Sequence, residues 1–221
     1  MPTQIAVIGG GAGGVAMCLK LYDQISQKIV NNNSGEVVAE ITVFEKAAVV
    51  GPGLPYSSPY KCHMLNFPKK IMMGVFDSTA LDNAAEPDNS SAEDRETIYN
   101  SYQETVFPPR HLYGEFLANR AEQVQKAAKK IGVVITFRKG TEVLNVKKLS
   151  ENQLQLETSA EETFIANYVV LATGHMESSR YRELKGSKGY HHNPFDAKKA
   201  LESFDPKKDV VIIGTRKTAI D

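Results

Sequence analysis

Apolar residues near the start of the chain change from a strand-like to a helix-like spacing and back again. Residues 4–9 (QIAVIG) form a short β-branched run, which predicts a strand buried on both faces of a parallel sheet. Apolar residues then recur at helical spacing from Gly13 to about Ile29, and NNNSG at 31–35 predicts the end of that helix. Residues 37–45 (VVAEITVFE) return to a β-branched run, so the pattern predicts a βαβ unit.

The following part of the chain lacks a regular apolar period. Residues 47–76 contain so many prolines and glycines that they predict a long ordered loop with short turns, and loops of this length usually carry function. Residues 77–104 carry eight acidic residues against the single Arg95 and few large apolar ones. We therefore expect 77–104 to be an exposed, partly mobile excursion.

Regular patterns resume in the second half of the chain. Residues 112–131 have apolar residues at helical spacing, with lysines near the end that complement the helix dipole. Strands are then predicted over 132–138, 141–149, 153–158, 162–171 and 209–214, with a short helix over 195–203. The middle strands indicate an antiparallel meander, whereas ANYVVLATG indicates a buried parallel strand. The predicted fold is α/β, with a parallel central sheet and a small antiparallel β-meander.

Composition and charge narrow the classes of function. With 221 residues, of which 42% are hydrophobic and 24% charged, the chain is expected to bury a substantial core. Lysine plus arginine equal aspartate plus glutamate at 26 each, so no overall field favours nucleic acid or an anionic membrane as a partner. A small-molecule partner is therefore expected.

Cysteine usage and the absence of targeting signals suggest a compartment. Cys18 falls in a predicted helix and Cys62 in a loop, which favours neither a disulfide framework nor a metal site. The N-terminal sequence lacks the pattern of a signal peptide, and no apolar run approaches the roughly 20 residues that span a bilayer. The sequence predicts a soluble cytoplasmic protein without a metal centre.

Residues 9–14 (GGGAGG) fit the pattern GxGxxG directly after a predicted strand and at the start of a helix. In this context Gly9 permits the turn out of the strand, Gly11 lets a pyrophosphate approach, and Gly14 lets the helix pack on the sheet. The N–H groups of the helix N-terminus then attract phosphates. The alternative is a glycine-rich turn without a ligand. A turn alone does not require five glycines in six residues, and each glycine adds to the chain entropy that is lost on folding.

Glu45 ends the second predicted strand, where a carboxylate can accept hydrogen bonds from ribose hydroxyls. It lies about 31 residues after Gly14, whereas the usual offset is about 20. The excess is attributed to the sequence NNNSGEVVAE. A glutamate that merely faces solvent at a strand end is the alternative.

An ordered series of motifs resembles a known superfamily. The series is IAVIGGGAGG, FEKA, GPGLPYSS, HMLNFP, PPRHLYGEFL, VVLATGH and VVIIGTRKTAID. It resembles flavoproteins with two dinucleotide-binding domains, most closely bacterial FAD/NAD(P)-binding proteins. Flavin-dependent N-hydroxylating and Baeyer–Villiger monooxygenases are more distant relatives. The likeness covers nearly the whole chain except the acidic excursion.

The resemblance implies a Rossmann-like FAD-binding domain and a set of contact residues. The glycine-rich turn would cradle the FAD pyrophosphate, Glu45 would hold the ribose, and the backbone of Val143 would meet the adenine. The ATG turn would pack beside the flavin nucleotide, and the loop containing Gly51 would pass near the isoalloxazine ring. The implied cofactor-binding residues are Gly9, Gly11, Ala12, Gly13, Gly14, Glu45, Lys46, Gly53, Leu54, Asn66, Val143, Ala172, Thr173 and Gly174.

Two departures from the family pattern concern the C-terminal part. Arg216 occupies the position of a glycine in the second, NAD(P)-binding fingerprint, where its side chain would crowd phosphates although its charge could attract them. The chain ends at Asp221, inside the first helix of that second unit. We therefore expect residues 1–208 to form the FAD-binding domain and 209–221 to begin an NAD(P)-binding βαβ unit, as in a fragment or a remnant.

The leading hypothesis is an FAD-dependent oxidoreductase that uses NAD(P)H, with a monooxygenase as one form of it. A non-catalytic nucleotide-binding or protein-interaction module is the alternative. An NAD-dependent dehydrogenase is disfavoured because such chains usually continue in βα repeats. No catalytic residue is assigned, since His175, His191, His192 and the neighbours Cys62 and His63 are more simply explained as loop residues.

Overall fold

The protein was analysed as a computed structural model, which describes residues 2–29, 38–78, 80–81, 107–175, 178–193, 202, 205 and 207–214. The strands are β1 (Thr3–Ile8), β2 (Ala39–Glu45), β3 (Val133–Lys139), β4 (Val143–Ser150), β5 (Gln153–Thr158), β6 (Thr163–Ala166) and β7 (Tyr168–Leu171). The helices are α1 (Ala12–Ile29), α2 (Gly53–Tyr56), α3 (Lys69–Gly74) and α4 (Arg110–Lys130), with a 3-10 turn at Arg182–Leu184. The predicted order of elements up to β5 is confirmed within two residues at each boundary, and the predicted loop at 47–76 contains the short helices α2 and α3.

Four strands form a parallel sheet in the order β3-β2-β1-β7. The sequence β1, α1, β2 therefore folds as the predicted βαβ unit, and the order 3-2-1 is that of a Rossmann-type domain. Ile5 pairs with Ile41, which pairs in turn with Ile135, so apolar residues of neighbouring strands lie side by side across the sheet. The predicted parallel central sheet is confirmed.

The two faces of the sheet are covered by different structures. Ile5 and Val7 belong to a buried cluster that includes residues of α1 and α4, such as Leu19 and Leu117. The intervening Ala6 and Ile8 belong instead to a second cluster, which includes Leu156 of β5 and Ala166 of β6. Because successive residues of a strand point to opposite faces, β1 is buried on both sides. The fold thus has three layers: helices, parallel sheet and meander.

The meander is an antiparallel sheet of order β4-β5-β6, as the sequence predicted. Leu156 and Ala166 are completely buried against the central sheet. Phe164 meets Phe44 of β2 edge to face, with ring centroids 5.3 Å apart. These contacts fix the meander on the face of the parallel sheet that the helices leave uncovered.

The single strand predicted over 162–171 is wrong in its extent, because Asn167 divides it into β6 and β7, which belong to different sheets. The parallel strand predicted in ANYVVLATG is confirmed as β7, although β7 is only partly buried. The side-chain Oδ1 of Asn167 accepts the backbone N–H of Gln4 at 2.8 Å, and its own N–H donates to the Gln4 carbonyl at 2.8 Å. Its amide group also donates to the carbonyl of Asn152 at 3.1 Å. The apolar pattern runs through this corner because both strands are partly buried, so the sequence gives no sign of the break.

Two further expectations need correction or lie outside the described residues. The predicted exposed excursion begins with packed residues, because Ser78 and Leu81 are buried; residues 82–104 lie outside the described part. The predicted strand at 209–214 is wrong, since these residues form no strand and Val211 is 86% exposed. A strand requires a neighbour to satisfy its hydrogen bonds, and the described residues supply none there. The helix predicted at 195–203 falls almost entirely outside the described residues.

Within the ranges described above, no helix is both long enough and apolar enough to cross a membrane.

Candidate functional site

The turn between β1 and α1 lies at the carboxyl end of the parallel sheet. β1 ends at Ile8 and α1 begins at Ala12, so the predicted strand-to-helix junction is present. Gly9 has φ +103°, which L side chains rarely adopt, and its N–H donates to the carbonyl of Phe44 at 2.9 Å. The N–H of Ala172 donates to the carbonyl of Ile8 at 2.8 Å. The turn is therefore fixed by β2 on one side and by the residue after β7 on the other.

Two glycines of this turn are required by contacts within the protein. A Cβ on Gly9 would lie 2.2 Å from the carbonyl oxygen of Ala172, and a Cβ on Gly14 would lie 2.0 Å from the carbonyl oxygen of Gly9. Both distances are far below any van der Waals contact, and the atoms concerned are backbone atoms that cannot move away cheaply. Gly9 and Gly14 thus act as the sequence predicts, one in the turn and one where the helix approaches the sheet.

The first backbone amides of α1 are available to a ligand. Val15 donates its N–H to the carbonyl of Gly11 at 3.0 Å, which is the first hydrogen bond of the helix. Among the residues that the structure describes, the N–H groups of Gly11, Ala12, Gly13 and Gly14 have no acceptor. These groups carry the positive end of the helix dipole, which attracts an anion such as a phosphate.

Glu45, at the end of β2, reaches back to the glycine-rich turn. Its Oε2 accepts the N–H of Gly10 at 2.7 Å, and its Oε1 accepts the N–H of Ala47 at 2.8 Å. The residue is only 7% exposed, so the alternative of a solvent-facing glutamate is wrong. The carboxylate retains further lone pairs, because each oxygen can accept more than one hydrogen bond. Glu45 therefore braces the turn and can still accept from a ligand.

The loop after β2 closes over the turn from the other side. Gly51 donates its N–H to the carbonyl of Gly10 at 2.7 Å. A Cβ on Gly11 would lie 3.4 Å from the Cα of Gly53, so the nearest atoms to Gly11 belong to the protein itself. The sequence assigned Gly11 only to the approach of a pyrophosphate, whereas in the structure this glycine also lets the loop pass closely.

A cleft of about 630 Å³ opens beside Glu45, between the loop after β2 and the N-terminal half of α4. Four of the predicted cofactor residues line it, namely Glu45, Lys46, Gly53 and Leu54. The other lining residues are Ala47, Ala48, Val49, Pro52, Tyr56, Ser57, Ser58, Pro59, His111, Gly114, Glu115 and Ala118. The volume lies within the range of about 300–1,000 Å³ that is typical of small-molecule and cofactor sites.

The structure brings most of the other predicted site residues to the same end of the sheet. Ala172 contacts the turn directly, and a Cβ on Gly13 would lie 3.8 Å from its side chain. Thr173 and Gly174 follow it and are exposed. Val143 packs against the second core cluster, just after Thr141, whose N–H donates to the Glu45 carbonyl at 2.9 Å.

Asn66 is placed by a residue that the sequence reasoning missed. The buried Arg110 donates from Nη2 to Asn66 Oδ1 at 3.3 Å and from Nε to the Met64 carbonyl at 3.0 Å. The backbone N–H of Arg110 donates to the carbonyl of His63 at 2.7 Å. Arg110 thus holds residues 63–66 against the start of α4. The sequence PPR before the helix was noted only as part of a motif, and it does not by itself indicate this contact.

The histidines and cysteines that the sequence singled out take loop or core positions. His192 shares hydrogen bonds with Tyr190 Oη at 3.1 Å and with the Ser178 carbonyl at 2.9 Å. His63 Nδ1 lies 2.5 Å from Ser58 Oγ. Burial raises the pKa of the Cys18 thiol to about 12. Burial also raises the pKa of the Tyr56 hydroxyl, against the opposing charge of Arg110.

The parallel sheet, the glycine-rich turn with its unpaired amides, and the carboxylate after β2 define a Rossmann-type dinucleotide-binding domain. The sequence matches the family described as FAD-NAD(P)-binding over residues 6–176, and the chain belongs to that family. No curated protein sequence matches the chain.

Several solved structures resemble this fold. Cyclohexanone monooxygenase in an open form is 21% identical, with a TM-score of 0.48, and the match covers 80% of this chain and 28% of that one. OTEMO, in complex with FAD and NADP, is 16% identical, with a TM-score of 0.49 and coverage of 84% and 28%. Tmm from Pelagibacter sp. strain HTCC7211 is 19% identical, with a TM-score of 0.45 and coverage of 78% and 36%. The chain spans between 28% and 36% of the length of these proteins.

Proposed function

We propose that this chain binds FAD at the β1–α1 turn and serves an oxidoreductase that uses NAD(P)H, of which a flavin monooxygenase is one form. The observation that carries the proposal is the set of four backbone amides, Gly11 to Gly14, that lack an acceptor in the described structure beside the carboxylate of Glu45. Membership of the FAD-NAD(P)-binding family supports the choice of cofactor.

The donor set fits a dinucleotide. A diphosphate offers acceptor oxygens and negative charge to the amides at the start of α1, while ribose hydroxyls offer donors to Glu45. Packing requires glycine least at Gly13, because a Cβ at this position would make only an ordinary van der Waals contact, at 3.8 Å. Packing among the described residues therefore does not require a glycine at this position, which is consistent with the close approach of a ligand.

The residues of this chain bind and orient the cofactor, and a bound flavin supplies the redox chemistry. The α1 amides fix the diphosphate without a reorganisation cost, because the backbone of the turn is already held by Phe44, Glu45 and Gly51. The ATG turn at 172–174 lies against Gly9 and limits the space on that side. No catalytic acid or base is assigned to the described residues.

Titration of the purified chain with FAD, followed by flavin fluorescence and absorbance, tests the proposal. Gly13→Glu places an acidic side chain in the first turn of α1, where the helix dipole favours it, but where it repels a diphosphate. We expect wild type to bind FAD and Gly13→Glu to lose at least about a hundredfold in affinity, which corresponds to about 2.7 kcal/mol. Gly13→Ala is the matched control for the added Cβ.

Anaerobic addition of NADH or NADPH to the FAD-loaded chain then tests turnover. Loss of the oxidised flavin absorbance supports the oxidoreductase, whereas flavin that stays oxidised with both nucleotides supports either the non-catalytic nucleotide-binding module or a fragment without the NAD(P)-binding unit. A folded wild-type chain that binds no FAD overturns the proposal. Equal FAD affinities of wild type and Gly13→Glu would show that the cofactor binds elsewhere.

A further inference from the structure

His111 is brought to the cleft by a close approach between α4 and the loop after β2. It lies in the first turn of α4 and lines the same cleft as Glu45 and Lys46. A Cβ on Gly114 would lie 2.4 Å from the carbonyl oxygen of Tyr56, so the helix and the loop touch backbone to backbone. This contact fixes the position of the imidazole in the cleft, although His111 lies 66 residues after Glu45 in the sequence.

The two nitrogens of His111 are in different situations. Nδ1 is buried, and it has no hydrogen-bond partner among the described residues. A buried N–H without an acceptor is rarer and costlier than a buried lone pair, which favours a proton on Nε2 rather than on Nδ1. Since His111 lines the cleft and its Nδ1 is buried, Nε2 is the ring nitrogen left to donate to a ligand there.

Three of the polar residues that line the cleft complement one another. Glu45 offers an acceptor, Lys46 offers a positive charge, and His111 offers an N–H donor; Ser57, Ser58 and Glu115 also line the cleft. A ligand that satisfies all three carries hydroxyl donors together with anionic acceptor oxygens, as a nucleoside diphosphate does. Apolar walls formed by Val49, Leu54 and other lining residues leave room for flat rings.

We propose that His111 is a nucleotide-binding residue whose Nε2–H donates to a phosphate oxygen of the dinucleotide held at Glu45. This inference rests on the proposed function, because it assumes that the nucleotide is bound at this end of the sheet. It adds a contact from α4, a helix that lies outside the dinucleotide-binding fingerprint formed by the glycine-rich turn and β2.

Affinities for FAD and for ADP, measured by calorimetry, test the contact. His111→Leu keeps the volume and removes the donor, whereas His111→Gln keeps an N–H donor. We expect His111→Leu to lower the affinity for both ligands about tenfold, as for a lost hydrogen bond to a charged group. We expect His111→Gln to keep most of the wild-type affinity. His191→Leu, at an exposed histidine outside the cleft, is the control and should leave both affinities unchanged.

The outcomes separate this inference from the proposed function. If wild type binds neither FAD nor ADP, the proposed function fails and His111 has no nucleotide to contact. If wild type binds both and His111→Leu binds them equally well, the inference fails while the proposed function stands. A lower affinity for FAD with an unchanged affinity for ADP also overturns the inference, because the acceptor would then lie in the flavin half of FAD.

A second measurement covers the case in which His111→Leu does not fold. The imidazole signals of the wild-type protein, assigned with the help of His111→Gln, are followed by NMR during an ADP titration. A saturable shift of the Nε2 signal of His111 supports the contact, and an unchanged signal at saturating ADP overturns it.

Discussion

The carboxylate of Glu45 accepts the backbone N–H of Gly10 at 2.7 Å, across a separation of 35 residues in the chain. A carboxylate in this position is normally discussed as a ligand for ribose hydroxyls. Here it also joins the end of β2 to the turn that precedes α1, and its other oxygen accepts from Ala47 at 2.8 Å. The geometry of the glycine-rich turn therefore depends on Glu45 even without a ligand.

Replacement of Glu45 by glutamine is expected to destabilise the chain without any ligand. A glutamine has one acceptor oxygen, so its NH2 group must face either the N–H of Gly10 or that of Ala47, and one of these two backbone donors loses its partner. The expected loss in the free energy of unfolding is about 1–3 kcal/mol, measured by urea denaturation.

The control for this variant is Glu122→Gln, which changes an exposed glutamate of α4. It is expected to alter stability by less than about 0.5 kcal/mol. If Glu45→Gln is as stable as this control, the two hydrogen bonds do not brace the turn.

Alanine substitutions at two neighbouring glycines of α1 are expected to have opposite effects. In Gly14→Ala the new Cβ would lie 2.0 Å from the carbonyl oxygen of Gly9, so we expect the loss of most of the native stability. In Gly13→Ala the nearest atom lies at 3.8 Å, and alanine is favoured over glycine in a helix by about 1 kcal/mol. Thermal unfolding followed by circular dichroism compares them, and a Gly14→Ala protein as stable as wild type would refute the packing argument.

Asn167→Ala is expected to loosen the corner between β6 and β7. The variant removes the acceptor for the N–H of Gln4, which wild type satisfies at 2.8 Å, and the donor to Asn152. We expect a loss of about 1–2 kcal/mol in the free energy of unfolding, and faster hydrogen exchange of the backbone amide of Gln4. Asn145→Ala, at an exposed residue whose side chain donates to Glu157, serves as the control. Equal stabilities of the two variants would show that the hydrogen bonds of Asn167 do not stabilise the corner.

The two thiols are expected to differ in reactivity. Cys18 is 1% exposed, and burial raises its pKa to about 12, so at pH 8 it is protonated as well as inaccessible. Cys62 is exposed in the loop. A chromogenic disulfide reagent should therefore modify one thiol in the native protein and both in denaturant, and Cys62→Ser should abolish the native reaction. Fast modification of Cys18 in that variant would contradict its burial.

The local features of the candidate site could be predicted from the sequence because each is encoded by neighbouring residues. The change from a strand period to a helix period at residues 9–14 marks the junction, and glycine alone suits the φ of +103° at Gly9. The antiparallel meander was predictable from its turns. Predicting these features requires no information about residues that are distant in the sequence.

Contacts between distant segments could not be predicted in the same way. His111 reaches the cleft only because Gly114 lets α4 approach Tyr56, and no pattern in the sequence joins these residues. The break at Asn167 was missed because apolar residues continue on both sides of it. The apolar run at 209–214 has the composition of a strand, but composition cannot supply the neighbouring strand that its hydrogen bonds require.

The corner at Asn167 has a consequence for engineering. The residues that contact Gly9, Ala172 and Thr173, directly follow β7, so an inserted residue between β6 and β7 would shift the register of the ATG turn against the glycine-rich turn. The hairpin tip at 151–152, by contrast, is exposed and lies at the far end of β4 from the cleft residues. Peptide tags and reporter labels belong before Asn152 at that tip, where they leave the hydrogen bond between Asn152 and Asn167 and the alignment of the glycine-rich turn intact.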